Sequence, residues 1–325
     1  LPSRRRSGQL SGFSGMSVIS RSDAADLLRA PRCVLESILE TASRVRKVHF
    51  SRKVSICSIL NARSGRCGQD CRFCAQSSRS PVDCPEWTMK KAGNILKARR
   101  QACKNGVSRF SAVASGRGPG AEEIDELCEA MEGSEEGPPL WCASLGIIER
   151  YQLRRLRKAG LTRYHHNLET ARSFFGSVCT THTWRERADT VSRVKEAGLE
   201  VCSGGIIGLG ESPAQRVELA FQLKELQVDS VALNFYVPVP GSTLEPPPKE
   251  LAPFEILKTV AMFRLVNPRA EIRICAGRGM LGHMESLVFR AGATGIMSGE
   301  LLTTRGSGFQ RDMELLKAAG MQQAV

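Results

Sequence analysis

Eight short apolar runs that alternate with amphipathic helical patterns constrain this chain more than any other feature. The runs are VSICSIL (54–60), VSRFSAVAS (107–115), LWCASLG (140–146), LTRYHHNL (161–168), LEVCSGGIIG (199–208), SVALNFYVP (230–238), EIRICAG (271–277) and ATGIMSG (293–299). Helical periodicity covers 88–104, 121–132, 149–159, 184–197, 213–226, 253–265 and 281–291 between them. Gly106, Gly160, Gly198 and Gly292 close several of these stretches, as helix C-caps do. A strand reached through a helical crossover pairs in parallel with its predecessor. The repeated βα unit therefore predicts an α/β fold, a parallel (β/α)8 barrel of the TIM type. An open, doubly wound sheet is the alternative.

Two helices are expected ahead of the barrel. SDAADLLRA opens on a Ser/Asp cap and predicts a helix near 23–29, and a second is expected over 34–46. The expected organisation is a disordered basic tail (1–22), N-terminal helices (23–50), the barrel (51–319) and a C-terminal tail (320–325). GSEEGPP (133–139) and PVPGSTLEPPP (238–248) read as loops between elements rather than as hinges.

The charge balance is basic, +13, with 46 Lys and Arg against 33 Asp and Glu. No stripe interleaves basic and aromatic residues as single-strand binders do, so the surplus reads as a solvated surface and not as a nucleic-acid site. No apolar run is long enough to span a bilayer. The opening segment has four arginines, many serines and no acid before Asp23. It resembles a transit peptide, or is sequence upstream of a start at Met16. A cytoplasmic location is expected, with a mitochondrial one as the alternative.

Twelve cysteines in a chain of 325 residues argue for a reduced compartment and thiolate–metal chemistry, not a disulfide scaffold. Three of them, Cys67, Cys71 and Cys74, form CGQDCRFC directly after the first strand, where a barrel keeps its chemistry. Thiolate selects iron–sulfur clusters, zinc or cuprous copper. Three thiols suit a four-iron cluster with one iron left open, whereas zinc needs a fourth ligand, for which Cys84 is the near candidate.

This CxxxCxxC pattern resembles that of the radical S-adenosylmethionine enzymes, and GGIIGLGE matches their GxIxGxxE pattern through Gly204, Ile206, Gly208 and Glu211. Read alone, those glycines mark a tight turn after a strand. YHHNLET (164–170), TTHTWRER (180–187), VCSGGIIGLGES (201–212), LLTT (301–304) and CRFCAQS together resemble the biotin synthases from about residue 50 to 319. The resemblance implies sulfur insertion into dethiobiotin at two saturated carbons. It implies a 4Fe–4S cluster on the three cysteines that binds S-adenosylmethionine, an electron donor such as flavodoxin or ferredoxin, and a homodimer. It assigns Phe73, Asn167, Glu169 and Arg187 to the cofactor, and His165, Asn234, Thr303 and Thr304 to the substrate. Glu169 stands where the family usually has Asp, and His165 where it usually has Asn.

The resemblance also implies a second cluster deep in the barrel, typically of two irons on three cysteines and one arginine. Cys142, Cys202 and Arg278 match three of those ligands, while Ser111 stands in place of the third cysteine. Cys57, Cys142, Cys202 and Cys275 fall on the first, third, fifth and seventh strands, and one layer of a barrel interior is built from alternate strands. A four-iron auxiliary cluster on these four thiols is favoured over a 2Fe–2S cluster, with Arg278 beside it as a positive group. The plainer reading makes Cys57 and Cys275 small buried apolar residues. Two other functions stay open: a related radical enzyme of cofactor maturation or carbon-skeleton rearrangement, and a basic RNA-binding or RNA-modifying protein.

Overall fold

In the computed structural model, which describes residues 19–238, 244, 251–302 and 306–324, each of the eight apolar runs contains a strand. These are β1 (Lys53–Arg63), β2 (Arg109–Ala114), β3 (Leu140–Ser144), β4 (Arg163–His165), β5 (Glu200–Ile207), β6 (Ser230–Phe235), β7 (Glu271–Ile274) and β8 (Gly295–Met297). Each pairs in parallel with the next, and β8 returns to β1. The sheet is therefore closed, which rules out the doubly wound alternative. Two helices precede the barrel, α1 (Arg21–Arg29) and α2 (Leu35–Phe50). The others are α3 (Ala92–Lys104), α4 (Ala121–Glu132), α5 (Arg150–Ala159), α6 (Arg172–Phe175), α7 (Trp184–Glu196), α8 (Pro213–Glu225), α9 (Pro253–Val266), α10 (Leu287–Arg290) and α11 (Phe309–Ala318).

The period of two along β1 divides its side chains between two environments. Val54 and Ile56 join the apolar layer, whereas Ser55 and Cys57 meet Arg273 across the interior. The α9 sequence has no polar face, and every residue from Ile256 to Val266 is buried. A helix that is apolar all round needs cover on both sides; the barrel supplies one, and α1 and α2 supply the other. Lys258 Nζ crosses from α9 to Leu28 O and Ala30 O (2.7 and 2.8 Å), satisfying carbonyls that the end of α1 leaves free. Ser20 starts α1 through a reciprocal capping box with Asp23, so the helix begins within the segment expected as a basic tail. Arg46, 1 % exposed, closes the floor of the barrel by donating to Ala293 O, Ser51 O and Lys53 O.

The helix expected over 281–291 is broken. A 3-10 turn over Arg278–Met284 gives way to the single turn of α10, because Gly282 takes φ 52° and ψ −128°. Near the end of the chain, α11 is followed by β9 (Gln322–Gln323), which lies parallel to Lys53 and Val54 at the foot of β1.

Candidate active site

The chain leaves β1 at Arg63 and folds over the C-terminal mouth of the barrel. Cys74 N–H donates to Cys71 O (3.0 Å) and Ser77 N–H to Cys74 O (3.2 Å), while Cys67 N–H reaches Gln76 O (3.1 Å). Two successive turns thus bring Cys67, Cys71 and Cys74 to the wall of one cavity of about 400 Å³. Asp70 clamps this loop to the segment between α6 and α7. Its carboxylate accepts from Thr180 N–H (2.9 Å), Thr181 N–H (3.0 Å), the Thr181 hydroxyl (2.9 Å) and the Thr180 hydroxyl. Burial raises the Asp70 carboxyl, but these donors outweigh it and hold the group well below the usual carboxylate range.

Three thiols on one cavity wall fit a 4Fe–4S cluster with one open iron. A fourth sulfur also stands near. Cys179, to which the sequence assigned no role, places Sγ 3.7 Å from Cys71 Sγ and 3.3 Å from His182 Nδ1. The shared S–H raises Cys71, with burial adding to the effect, and lowers Cys179. The signal was present in CTTH (179–182), which sets a thiol three residues before an imidazole.

The neighbouring walls come from β4, β5, β6 and α7 and from the cysteine loop. Asn167, Glu169, Arg187, Phe73, Ile206 and Asn234 all face the cavity. Arg187 donates from Nε to Asn167 O (2.5 Å), from Nη2 to the Glu169 carboxylate, and from Nη1 to His182 Nε2 (2.8 Å). Glu169 takes φ 67°, a conformation that costs a non-glycine residue about 1–3 kcal/mol. Two bonds hold it there, its N–H to Gly204 O (3.1 Å) and Ile206 N–H to its own carbonyl (2.7 Å). The rest of the GxIxGxxE segment builds the turn. Gly208 sits at φ 98°, and the Glu211 carboxylate accepts from Gly208 N–H, Leu209 N–H and Arg216 Nε. Gly204 packs directly on the backbone of β6. Asn234 spans β5 and β7, donating to Gly205 O (3.3 Å) and accepting from Ala276 N–H (3.2 Å).

The floor of the cavity carries the odd-strand thiols. Cys57, Cys142, Cys202 and Cys275 are all buried, and Cys202 and Cys275 line the cavity itself. Cys202, Ala232 and Cys275 form one cluster with Met297 packed on it, and Met297 lies beside Cys57 in the ladder. Cys142 pairs across β2 with Ser111 and across β4 with Arg163. Burial raises Cys57, against the pull of Arg273; it raises Cys142 to about 12, with the Cys57 thiol adding to the effect. Burial raises Cys275 as well, and Cys202 adds to it. Among the described residues, Ser111 Oγ, His165 Nε2 and Arg273 Nε are buried here without a partner. Burial, then Arg273 and Arg163, hold His165 far below its usual value, so its ring is neutral. Four thiols ringed by polar groups short of partners are a donor set that fits an iron–sulfur cluster, whose sulfurs accept hydrogen bonds.

Arg278 stands beside this floor, its Nη2 3.5 Å from Met297 O, but is held by carboxylates. Its guanidinium turns to Asp312 and to Glu285 (3.4 Å), because it lies beyond the end of β7 where the strand pleat no longer directs it inward. Arg273 takes the expected place: fully buried, it donates from Nη1 to Cys57 Sγ and from Nη2 to Glu271 (2.6 Å). Thr303 and Thr304 lie outside the described residues.

Comparison with known proteins agrees with this geometry. The Radical SAM superfamily matches residues 62–223, and the Biotin and Thiamin Synthesis associated domain matches 232–322. A biotin synthase of Maridesulfovibrio salexigens is 46 % identical over 308 residues, 94 % of each chain. One of Clostridium tetani is 41 % identical over 288 residues, 88 % of each. Among solved structures, a methylornithine synthase superposes with a TM-score of 0.80 at 19 % identity, covering 95 % of both chains. The FeFe-hydrogenase maturase HydG superposes with a TM-score of 0.80 at 15 % identity, covering 95 % of this chain and 73 % of its own. With its relatives matched along nearly their whole length and the three-thiol loop at the mouth of a closed barrel, the chain belongs to the biotin synthase family of radical S-adenosylmethionine enzymes.

Proposed function

We propose that this chain converts dethiobiotin to biotin by inserting sulfur at two saturated carbons, with sulfur supplied through an auxiliary cluster of four irons on Cys57, Cys142, Cys202 and Cys275. One observation carries this reading: a single cavity joins Cys67, Cys71 and Cys74 at the mouth to Cys202 and Cys275 at the floor, so hydrogen abstraction and sulfur delivery share one chamber. The cluster at the mouth, when bound, supplies the electron that cleaves S-adenosylmethionine to the 5′-deoxyadenosyl radical. The chain supplies position and shelter. Arg187, already anchored to Glu169 and His182, presents a fixed positive charge to the cofactor carboxylate. Asn167 and Glu169 offer polar groups to its ribose and amino group, and Phe73 an apolar face to its adenine. The floor holds Arg109, Arg163 and Arg273 against the carboxylates Glu200 and Glu271. The surplus positive charge favours an anionic thiolate cluster over a 2Fe–2S site with an arginine ligand.

His165 and Asn234 on the walls, with Thr303 and Thr304, are proposed as the substrate contacts. The barrel over 51–319 and the helical cover over 23–50 act as one unit. A cytoplasmic location suits its reduced thiols, and a homodimer served by flavodoxin or ferredoxin completes the reading.

Anaerobic incubation with dethiobiotin, S-adenosylmethionine and reductant is expected to yield biotin together with 5′-deoxyadenosine. Deoxyadenosine without biotin would overturn the substrate assignment. Replacement of Cys57 tests the floor separately. Reconstituted Cys57→Ala is expected to hold several fewer irons and sulfides per chain than the unaltered protein while still cleaving S-adenosylmethionine; unchanged iron and sulfide content would exclude Cys57 as a ligand.

A further inference from the structure

Cys179 has no part in the proposed reaction, yet it touches the loop that does. Its Sγ lies 3.7 Å from Cys71 Sγ. The backbone is pinned on both sides of this contact. Arg72 N–H donates to Val178 O (3.0 Å), and Thr180 and Thr181 N–H donate to the Asp70 carboxylate (2.9 and 3.0 Å). The neighbours of both cysteines are therefore tied together, and the two sulfurs have to close from 3.7 Å to a bonding distance of about 2.05 Å. Arg187 Nη1 donates to His182 Nε2 (2.8 Å), which places the ring proton on Nδ1. That N–H lies between Gln69 Oε1 (2.9 Å) and Cys179 Sγ (3.3 Å), a donor turned toward the sulfur.

We propose that Cys71 and Cys179 are a specific, reversible disulfide site of the cluster-free chain. Cys179, as thiolate, attacks one sulfur of a small disulfide such as oxidised glutathione. That S–S bond breaks and one small thiolate leaves. Cys71 gives up its proton and attacks the Cys179 sulfur of the mixed disulfide, expelling the second small thiolate. The two protein thiols lose two electrons and two protons, and the small disulfide becomes two thiols. The linkage removes one of the three mouth thiols, so the cluster does not reload until a reductant opens it. This consequence rests on the function proposed above; the linkage itself does not. A zinc ion on Cys71, Cys179 and His182, whose ligand atoms lie within 4.8 Å of one another, is disfavoured because the protonated Nδ1 has no lone pair to offer.

The experiment uses the full chain, freed of iron under reducing conditions, desalted and incubated with oxidised glutathione, with and without added zinc. Remaining thiols are blocked and the protein is digested with trypsin without reduction. Trypsin separates Cys67 and Cys71 (67–72) from Cys74 (73–79) and from Cys179 (173–185), and fragmentation distinguishes Cys67 from Cys71. The expected product is a dominant link between 67–72 and 173–185 at Cys71, lost on adding dithiothreitol. Cluster loading of the oxidised chain is expected to be at least fivefold slower without reductant than with it, and Cys179→Ser is expected to load equally in both. A dominant link among Cys67, Cys71 and Cys74, or Cys179 left unlinked, overturns the proposal. So does one zinc per chain that blocks the link and is lost in Cys179→Ser. Because the mapping is done on the unaltered sequence, it stands even if the variant folds poorly.

Discussion

Gly204→Ala is expected to leave little folded protein. A Cβ at this position would lie 1.8 Å from Ala232 O, 2.6 Å from Ala232 C and 2.7 Å from Ala232 N, all backbone atoms of the strand paired with it. No rotamer relieves a clash with backbone, so β5 and β6 must part at the centre of the barrel and give up ladder bonds there. Overpacking of this kind belongs to the class of substitutions that cost about 4 kcal/mol or more, against a total stability of about 5–15 kcal/mol for a typical domain. Gly68→Ala is the control: it lies in the cysteine loop, and nothing stands within 4 Å of its added Cβ. Guanidinium denaturation of the two variants should show Gly68→Ala within about 0.5 kcal/mol of the unaltered chain. A folded Gly204→Ala of ordinary stability that fails only to bind S-adenosylmethionine would return Gly204 to a role at the cofactor.

That contrast shows which parts of the site were legible in the sequence. The strands were, because apolar runs punctuated by Gly and capped helices leave few other folds. The three-thiol loop was, because its spacing is chemically specific. Strand parity put Cys57, Cys142, Cys202 and Cys275 on alternate strands, and all four are buried in the structure. The choice between Arg273 and Arg278 was open to the same parity. Arg273 precedes Cys275 by two residues and shares its face, while Arg278 lies past the strand. The motif singled out Arg278 because a motif counts residues without asking which way the pleat points. In the GxIxGxxE segment the motif merged two roles. Ile206 faces the cavity, while Gly204, Gly208 and Glu211 are spent on strand packing and a turn. Asp70, and the approach of Cys179 to Cys71, were illegible for another reason. Their partners lie more than a hundred residues away, and only the closed barrel brings the loop after β1 against the loop before α7.

Glu271→Gln is expected to destabilise the barrel by about 3–5 kcal/mol at neutral pH, the cost of removing one partner from a buried ion pair. Glu271 accepts from Arg163 (2.7 Å) and Arg273 (2.6 Å), whose side chains are 3 % and 0 % exposed. Arg163 and Arg109 (2.9 Å) keep Glu200, but Glu200 is 45 % exposed and does not reach Arg273, which then holds an unpaired buried charge. The pH dependence separates this loss from a packing defect. Burial acts to raise the Glu271 carboxyl, and the two guanidiniums outweigh it, so the folded value lies well below the ordinary one. A depressed carboxyl contributes stability that is complete above the unfolded value, about 4.3, and is lost as pH falls below it. The unaltered chain should therefore lose stability as pH drops from about 5 to 3, and Glu271→Gln, with no proton to take up at this site, should lose less over the same range. Denaturation midpoints measured across that interval should converge as the pH falls. Parallel curves offset by a constant would mean that the carboxylate charge contributes nothing, and that the three arginines of the floor are neutralised by some other group.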